Sequence, residues 1–249
     1  MFATYPSLKD RVVFITGGAS GIGAELVRAF ADQGSRVAFV DIQDDAGSAL
    51  AKATGGTYGH CDVTDVDALQ ASIAEIGTAL GPIRILVNNA GNDTRHEMDE
   101  VTSEYWDATL AINLKPQFFA AQAVRGQMKS LGGGSIINFS STNALFGSPN
   151  LSAYATAKAG LLGLTRSLAR AFGSDNIRVN AILPGAVITE RQRALWYKTQ
   201  ADVDAIVSRQ VLQKVLLPDE IARMVLFLAS EDSRMITKQS FVVDAGISS

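Results

Sequence analysis

Residues 11–23 read Arg-Val-Val-Phe-Ile-Thr-Gly-Gly-Ala-Ser-Gly-Ile-Gly, an apolar run that ends on four glycines within seven positions. Val12 to Ile15 is apolar at every position, as a strand covered on both faces must be. Helical periodicity over Ala24 to Gln33 follows at once. A buried strand, a tight turn and a helix in that order confine the chain to α/β architectures with a parallel sheet. In such a turn, backbone N–H groups and the helix N-terminus can approach a pyrophosphate. Gly17, Ser20, Gly21, Ile22 and Gly23 are the candidate cradle. Their spacing, Gly-x-x-x-Gly-x-Gly with Thr16 in front, differs from the usual dinucleotide fingerprint.

The alternation continues to the C-terminus. Apolar runs predict strands near 11–16, 36–41, 57–61, 84–88, 134–139, 177–182 and 240–243. Helices are predicted over about 21–33, 44–53, 65–80, 103–111, 114–130, 152–172 and 218–229. Thr64 with Asp67 resembles a capping box, and Pro218 suits the first turn of the last helix. A 249-residue chain with 47% hydrophobic residues and no linker or repeat suits one domain over 1–249. The expected fold is α/β: a single, doubly wound parallel seven-stranded sheet with helices on both faces and right-handed crossovers. Ligands in such sheets sit beyond the carboxyl ends of the strands. Asp41, Asp62, Asn88 to Gly91, Ser140-Ser141 and Pro184-Gly185 all fall at predicted strand ends.

Charge and composition narrow the function. A net charge of −3 and the absence of any Lys/Arg run argue against nucleic acid as a partner. No apolar stretch reaches the length of a membrane span. The first eleven residues lack the basic start and apolar stretch of a secretory signal, and the single cysteine, Cys61, suits a reducing compartment. A cytoplasmic protein is expected. The two histidines, His60 and His96, show no ligand spacing, so no metal site is predicted; His60, at a strand end, is expected to pack.

Three positions carry candidate chemistry. Tyr154 and Lys158 lie four apart in a predicted helix and share one face. A nearby ammonium favours the phenolate. Lowering a tyrosine pKa by about 2–3 units, roughly 3–4 kcal/mol of differential stabilisation, yields a general base near neutrality. Asp41 ends the second strand, where a carboxylate can accept from the ribose hydroxyls of an adenosine and would repel a 2′-phosphate. Neither Ile42 nor the glycine turn supplies an offsetting cation, which favours NAD over NADP.

These motifs together resemble the short-chain dehydrogenase/reductase family. The likeness rests on Thr16-Gly17-x-x-x-Gly21-x-Gly23, Asp62-Val63, Asn88-Asn89-Ala90-Gly91, Asn113, Ser141, Tyr154-x-x-x-Lys158 and Pro184-Gly185, in order over essentially the whole chain. It implies a Rossmann domain and a tetrad: Tyr154 as base, Lys158 as its partner and ribose ligand, Ser141 holding the reacting oxygen, Asn113 joining a proton relay. It also implies that Asp62 and Val63 flank the adenine, with Ile42 beside Asp41. Asn89, Ala90 and Gly91 would line the cofactor floor, and Pro184, Gly185, Val187 and Thr189 the nicotinamide. A homotetramer follows by the same resemblance, with a substrate lid at about 188–213.

The loop after Gly91, Asn92-Asp93-Thr94-Arg95-His96-Glu97, is unusually polar for a wall beside the reacting centre. A sugar calls for several donors and acceptors, often with an aromatic platform. Asn92, Arg95, Asn143, Gln192 and Trp196, with Ser141 and Tyr154, are the candidate substrate contacts. The segments around Asn92–His96 and Arg191–Tyr197 resemble bacterial NAD-dependent aldose 1-dehydrogenases acting on xylose, arabinose, galactose or fucose. The expected reaction is oxidation of an anomeric hydroxyl to an aldonolactone. The alternatives are a polyol or sugar-derived hydroxy-acid dehydrogenase, a 3-oxoacyl carrier-protein reductase, and a non-catalytic NAD-sensing regulator. The retained tetrad speaks against the last of these.

Overall fold

A computed structural model describes residues 3–248; residues 1, 2 and 249, the ends of the expected 1–249 domain, lie outside the described residues. The first half of the chain runs β1 (Val12–Thr16), α1 (Gly21–Asp32), β2 (Arg36–Asp41), α2 (Asp44–Thr54), β3 (Thr57–His60), α3 (Val66–Ala79) and β4 (Ile83–Asn88). Two consecutive helices follow, α4 (Ser103–Asn113) and α5 (Lys115–Ser130), then β5 (Gly134–Phe139), the short α6 (Asn143–Phe146), α7 (Ser152–Phe172) and β6 (Ile177–Pro184). The C-terminal part holds α8 (Glu190–Leu195), α9 (Gln200–Val207), α10 (Pro218–Ala229) and β7 (Ser240–Val243).

The seven strands form one sheet, all parallel, in the order β3-β2-β1-β4-β5-β6-β7. Strand alternation divides the core. Val13 and Ile15 of β1, Val37 and Phe39 of β2, and Ile137 and Phe139 of β5 face one layer with Leu26 and Phe30 of α1 and Val225 and Leu228 of α10. Val12 and Phe14, Ala38 and Val40, and Ile136 face the other, against Leu69 and Ile73 of α3, Val124 and Met128 of α5, and Leu168 and Phe172 of α7. Both faces are therefore dry, which is why β1 tolerates no polar residue before Thr16. Phe30 is fully buried; its truncation to alanine would cost about 3–5 kcal/mol.

Order reverses between β1 and β4, whose carboxyl ends lie side by side with Thr16 paired to Asn88. The crevice expected of a doubly wound sheet opens there.

Three local readings are corrected. Helix α3 is capped by Asp65, whose Oδ1 accepts from Ala68 N at 3.0 Å, not by Thr64. Thr64 is drawn backward instead, donating from N and Oγ1 to Asp62 Oδ1 at 2.9 and 2.8 Å, which leaves Asp65 as the last extended residue. His60 does not pack. It sits exposed at the end of the edge strand β3, its Nδ1 at 2.8 Å from Asp44 Oδ1. The third correction concerns 188–213, where no helix is predicted: Thr189 caps α8, and Thr199 with Asp202 makes a full capping box on α9. Pro218 opens α10 as predicted.

Candidate active site

The cleft at the switch point measures about 1540 Å³. That exceeds the roughly 300–1,000 Å³ of an ordinary small-molecule pocket and leaves room for a dinucleotide beside a second, smaller molecule. Its floor is the glycine turn. Gly17 has φ +65°, and a Cβ there would lie 2.8 Å from Ala90 Cα. A Cβ on Gly23 would meet the Gly17 carbonyl oxygen at 1.9 Å. These two positions admit only glycine, and the backbone they lay bare fits a pyrophosphate at the start of α1. Asn89 ties the turn down: its Nδ2 donates to Thr16 O and Gly17 O at 3.0 and 2.8 Å. Thr16 Oγ1 accepts in return from the backbone N–H groups of Asn89 and Ala90, both at 3.1 Å. Asn89 is thus a strut of the cradle.

At one end of the cleft, Asp41 is buried at the tip of β2. Its Oδ2 accepts from Ala19 N at 3.0 Å, and its Oδ1 from the N–H groups of Ile42 and Gln43 at 2.8 and 3.1 Å. The Gln43 amide also reaches Asp41 Oδ1 at 3.2 Å and bridges to Ser20 Oγ at 2.9 Å. Ile42 is 62% exposed, an apolar surface over the rim of this end. Asp62 and Val63 line the same end.

The other end holds Tyr154, Lys158, Ser141 and Asn113. Lys158 is buried; its Nζ donates to Phe139 O at 2.9 Å and stands 5.5 Å from the centre of the Tyr154 ring. Ser140 Oγ donates to the Lys158 carbonyl at 2.7 Å, fastening β5 to this turn of α7. Desolvation pushes the Lys158 ammonium down to about 8, opposed by the Asp93 carboxylate. Burial pushes the Tyr154 phenol up, and Asp93 adds to the rise; Ser141 and Arg191 pull the other way. The expected lowering of the phenol is not found in the protein alone. The shared helix face is as expected, but burial and a carboxylate from another segment dominate the sign.

Asn113 is fully buried, and its amide is spoken for: Nδ2 donates to Asn92 O at 2.9 Å and Thr109 O at 3.1 Å, and Oδ1 accepts from Asn92 N at 3.0 Å. A Cβ on Gly91 would lie 2.9 Å from Asn113 Oδ1 and 3.1 Å from Lys158 Nζ, so a glycine there keeps open the gap both groups face. Ser141 Oγ accepts from Asn143 N at 3.1 Å, and Asn143 Oδ1 from Ser148 Oγ at 2.6 Å. Pro184 accepts from Thr142 N at 3.1 Å, Gly185 N donates to Val243 O, and Val187 is buried below the cleft. Thr189 reaches across toward Gly21.

Of the candidate substrate contacts, Asn92, Arg95, Asn143 and Gln192 line the cleft with Ser141 and Tyr154. Trp196 does not. The Arg95 guanidinium covers its ring at 4.0 Å, and Tyr197, one residue on, takes the place in the wall. His96 is pinned beneath, with Nε2 3.1 Å from Ser152 Oγ and its ring edge-on to Tyr105.

One feature was missed. Asn88 Nδ2 donates to Asn138 Oδ1 at 2.9 Å, and Asn138 Nδ2 to Thr165 Oγ1 at 3.0 Å, a buried polar chain from β4 through β5 to α7. The signal was available: Asn138 stands between Ile137 and Phe139 in a strand buried at every position. Ile247 also lines the cleft, carried there by a C-terminal turn in which Asp244 accepts from Gly246 N and Ser248 N at 2.8 and 2.9 Å.

This cleft places the chain among the dinucleotide-dependent oxidoreductases built on a doubly wound sheet. A family model described as enoyl-(acyl carrier protein) reductase matches residues 17–248, and the chain belongs to that family, the short-chain dehydrogenases/reductases. It is 47% identical over 249 residues to a protein of Rhizobium meliloti described as "Probable galactose dehydrogenase GalD", covering 98% of this chain and 97% of that one. It is 45% identical to D-xylose 1-dehydrogenase of Caulobacter vibrioides, covering 98% of each. Among solved structures, the aldohexose dehydrogenase of Thermoplasma acidophilum superposes with a TM-score of 0.91 at 30% identity, over 98% of this chain and 96% of that one. The chain is a dehydrogenase acting on CH–OH groups with a nicotinamide dinucleotide cofactor.

Proposed function

We propose that this protein oxidises the anomeric hydroxyl of an aldose to the aldonolactone with NAD. The observation that carries the reading is the wall beside Tyr154. Asn92, Arg95, Asn143 and Gln192 line the cleft there and make that wall polar, where a steroid or acyl chain would need apolar lining. Likeness over nearly full length to galactose and D-xylose 1-dehydrogenases supports the same class.

Gly17, Ser20, Gly21, Ile22 and Gly23 would cradle the pyrophosphate, Asp41 the adenosine ribose, Asp62 and Val63 the adenine. Asn89, Ala90 and Gly91, with Pro184, Gly185, Val187 and Thr189, would hold the nicotinamide end. When bound, an oxidised nicotinamide would supply the hydride acceptor and a positive charge. Ser141 holds the substrate oxygen by hydrogen bonding. Tyr154 takes the hydroxyl proton as C1 becomes a carbonyl carbon; an anomeric hydroxyl is more acidic than an ordinary alcohol, so less base strength is required. Lys158, whose ammonium is largely protonated at pH 7 given a pKa of about 8, favours the phenolate. Asn113 and Lys158 face one gap at Gly91, a place for a water that carries the proton outward. Asp41, with no cation at Ile42 or Gln43, selects NAD over NADP.

A panel of aldoses and polyols followed at the NADH absorbance tests this. Lactone formation from a pentose, galactose or a 6-deoxyhexose, lost in Tyr154→Phe with NAD binding intact, is expected. Activity confined to 3-oxoacyl thioesters or to acyclic polyols would overturn it.

A further inference from the structure

Arg95 lies between two anchored neighbours. The Thr94 carbonyl accepts from the Tyr105 hydroxyl at 2.8 Å, and His96 N donates to Asn150 O at 3.0 Å. His96 Nε2 is 3.1 Å from Ser152 Oγ, at the first residue of α7. The backbone that carries Arg95 is thereby tied to the helix that carries Tyr154. At the other end of the side chain, the guanidinium carbon lies 4.0 Å from the centre of the Trp196 ring. Trp196 ends α8, where its backbone N–H donates to Gln192 O at 2.9 Å.

What this guanidinium lacks is an acceptor. Arg191 has Asp93 and Asn92, whereas Arg95 makes no ion pair and no side-chain hydrogen bond among the described residues. It lines the cleft that holds Tyr154. Trp196 contributes nothing to that wall, and its indole Nε1 is buried without a partner. An unmade buried donor costs stability, so the ring is not seated there for its N–H. What it offers is a face. A guanidinium stacked on an aromatic face keeps its edge, with five N–H groups in one plane, for a ligand.

We propose that Arg95 is a specificity-determining residue that reads two neighbouring hydroxyls of the substrate, and that Trp196 positions it without touching substrate. The inference rests on the reading of the substrate as a hydroxyl-rich aldose. A planar fork suits two oxygens held side by side, and both a carboxylate and a diol present such a pair. The rest of the wall favours the diol. Asn92, Asn143 and Gln192 line it with amides, which donate and accept as hydroxyls do, whereas a carboxylate only accepts. A side chain fixed before binding loses little freedom when the sugar arrives, so Trp196 acts on affinity through Arg95.

The test is kcat/KM with NAD for the substrate that turns over fastest and for its analogues lacking one hydroxyl. Arg95→Met keeps an unbranched stem on the ring. It should lower kcat/KM for the full substrate by about 10–100-fold, the loss expected of hydrogen bonds from a charged group, and mostly through KM. The analogues that lack a contacted hydroxyl should lose less. Arg95→Lys, with the charge but no fork, should resemble Arg95→Met. Trp196→Leu should lower kcat/KM by about 2–5-fold in the parent and no further in Arg95→Met. Trp196→Phe, which keeps a ring face, should recover most of that loss. Equal losses for the substrate and every analogue, recovery by Arg95→Lys, or an effect of Trp196→Leu that adds to that of Arg95→Met would overturn the assignment. So would a preference for a hexuronate over its parent hexose that vanishes in Arg95→Met, since the fork would then read a carboxylate. If an acyclic polyol turns over fastest, the aldose reading falls, and the same comparison on that polyol still decides for or against Arg95. If an aldose is fastest and the variants lose no discrimination, only the Arg95 assignment falls.

Discussion

Lys158 Nζ stands 5.5 Å from the centre of the Tyr154 ring and is held there by the Phe139 carbonyl at 2.9 Å. The ammonium cannot drift from the phenol without giving up its one buried acceptor. Loss of the charge should therefore be felt in kcat more than in KM for the sugar. Lys158→Met and Tyr154→Phe are each expected to lower kcat by about 10²–10⁴-fold, the usual range for a general base. Stopped-flow single turnovers would separate this from slow product release. A Lys158→Met variant within tenfold of the parent would remove the lysine from the proposed chemistry.

The same buried ammonium sets a stability expectation. Its folded pKa of about 8 lies below the ordinary lysine value of 10.5, because burial penalises the charge. The cost is fully present below pH 8 and is relieved as pH rises from about 8 toward 10.5, since there the unfolded chain binds the extra proton. Lys158→Met removes the cost but leaves the Phe139 carbonyl without its donor. A net gain of about 1–3 kcal/mol near pH 7, shrinking above pH 8, is expected from urea midpoints. Tyr154, whose phenol burial pushes up, acts oppositely above pH 10 and is coupled to Lys158, so the comparison is made between pH 6 and pH 10. A gain that grows with pH would contradict the assignment.

How much of this was legible depends on how local the cause is. Val12 to Thr16 and the glycines after it could be read because burial on both faces and φ above zero leave few residue types to choose from. Tyr154 and Lys158 could be placed on one face because four residues in a helix decide that. The direction in which the phenol shifts could not, because burial by the assembled fold sets it and Asp93, from a segment far away in the chain, adds to it. The position of Trp196 outside the cleft lining could not be read for a similar reason: nothing near it announces that Arg95 will cover its ring. The helices α8 and α9 are short, six and eight residues, yet Thr189-x-x-Gln192 and Thr199-x-x-Asp202 were signals that capping rules can read.

The buried chain from Asn88 through Asn138 to Thr165 connects the sheet to the helix that carries the tetrad. Asn138→Ala takes from the Asn88 amide its 2.9 Å acceptor, leaving it only the Gln117 carbonyl at 3.5 Å, and takes from the buried Thr165 hydroxyl its donor. Destabilisation of about 2–4 kcal/mol is expected, against about 1–2 for Thr165→Val, which breaks only the last link. Denaturant titration with unchanged m-value would check both. Equal costs for the two variants would show that the chain does not act as a unit.

The cofactor preference turns on Asp41, whose carboxylate is fixed by three backbone N–H groups and by the Gln43 amide. A ribose hydroxyl can take the place of that amide as donor; a 2′-phosphate would instead set like charges against a carboxylate that cannot turn away. Asp41→Ser should weaken NAD binding by about 10-fold, the loss of one hydrogen bond to a charged group. NADP binding should improve in the same variant, because the repulsion is gone and the introduced hydroxyl can donate to the phosphate. Isothermal titration with both dinucleotides measures the two effects separately. If NADP already binds the unaltered protein as tightly as NAD, Asp41 does not discriminate, and the Gln43 bridge must keep its carboxylate away from the ribose.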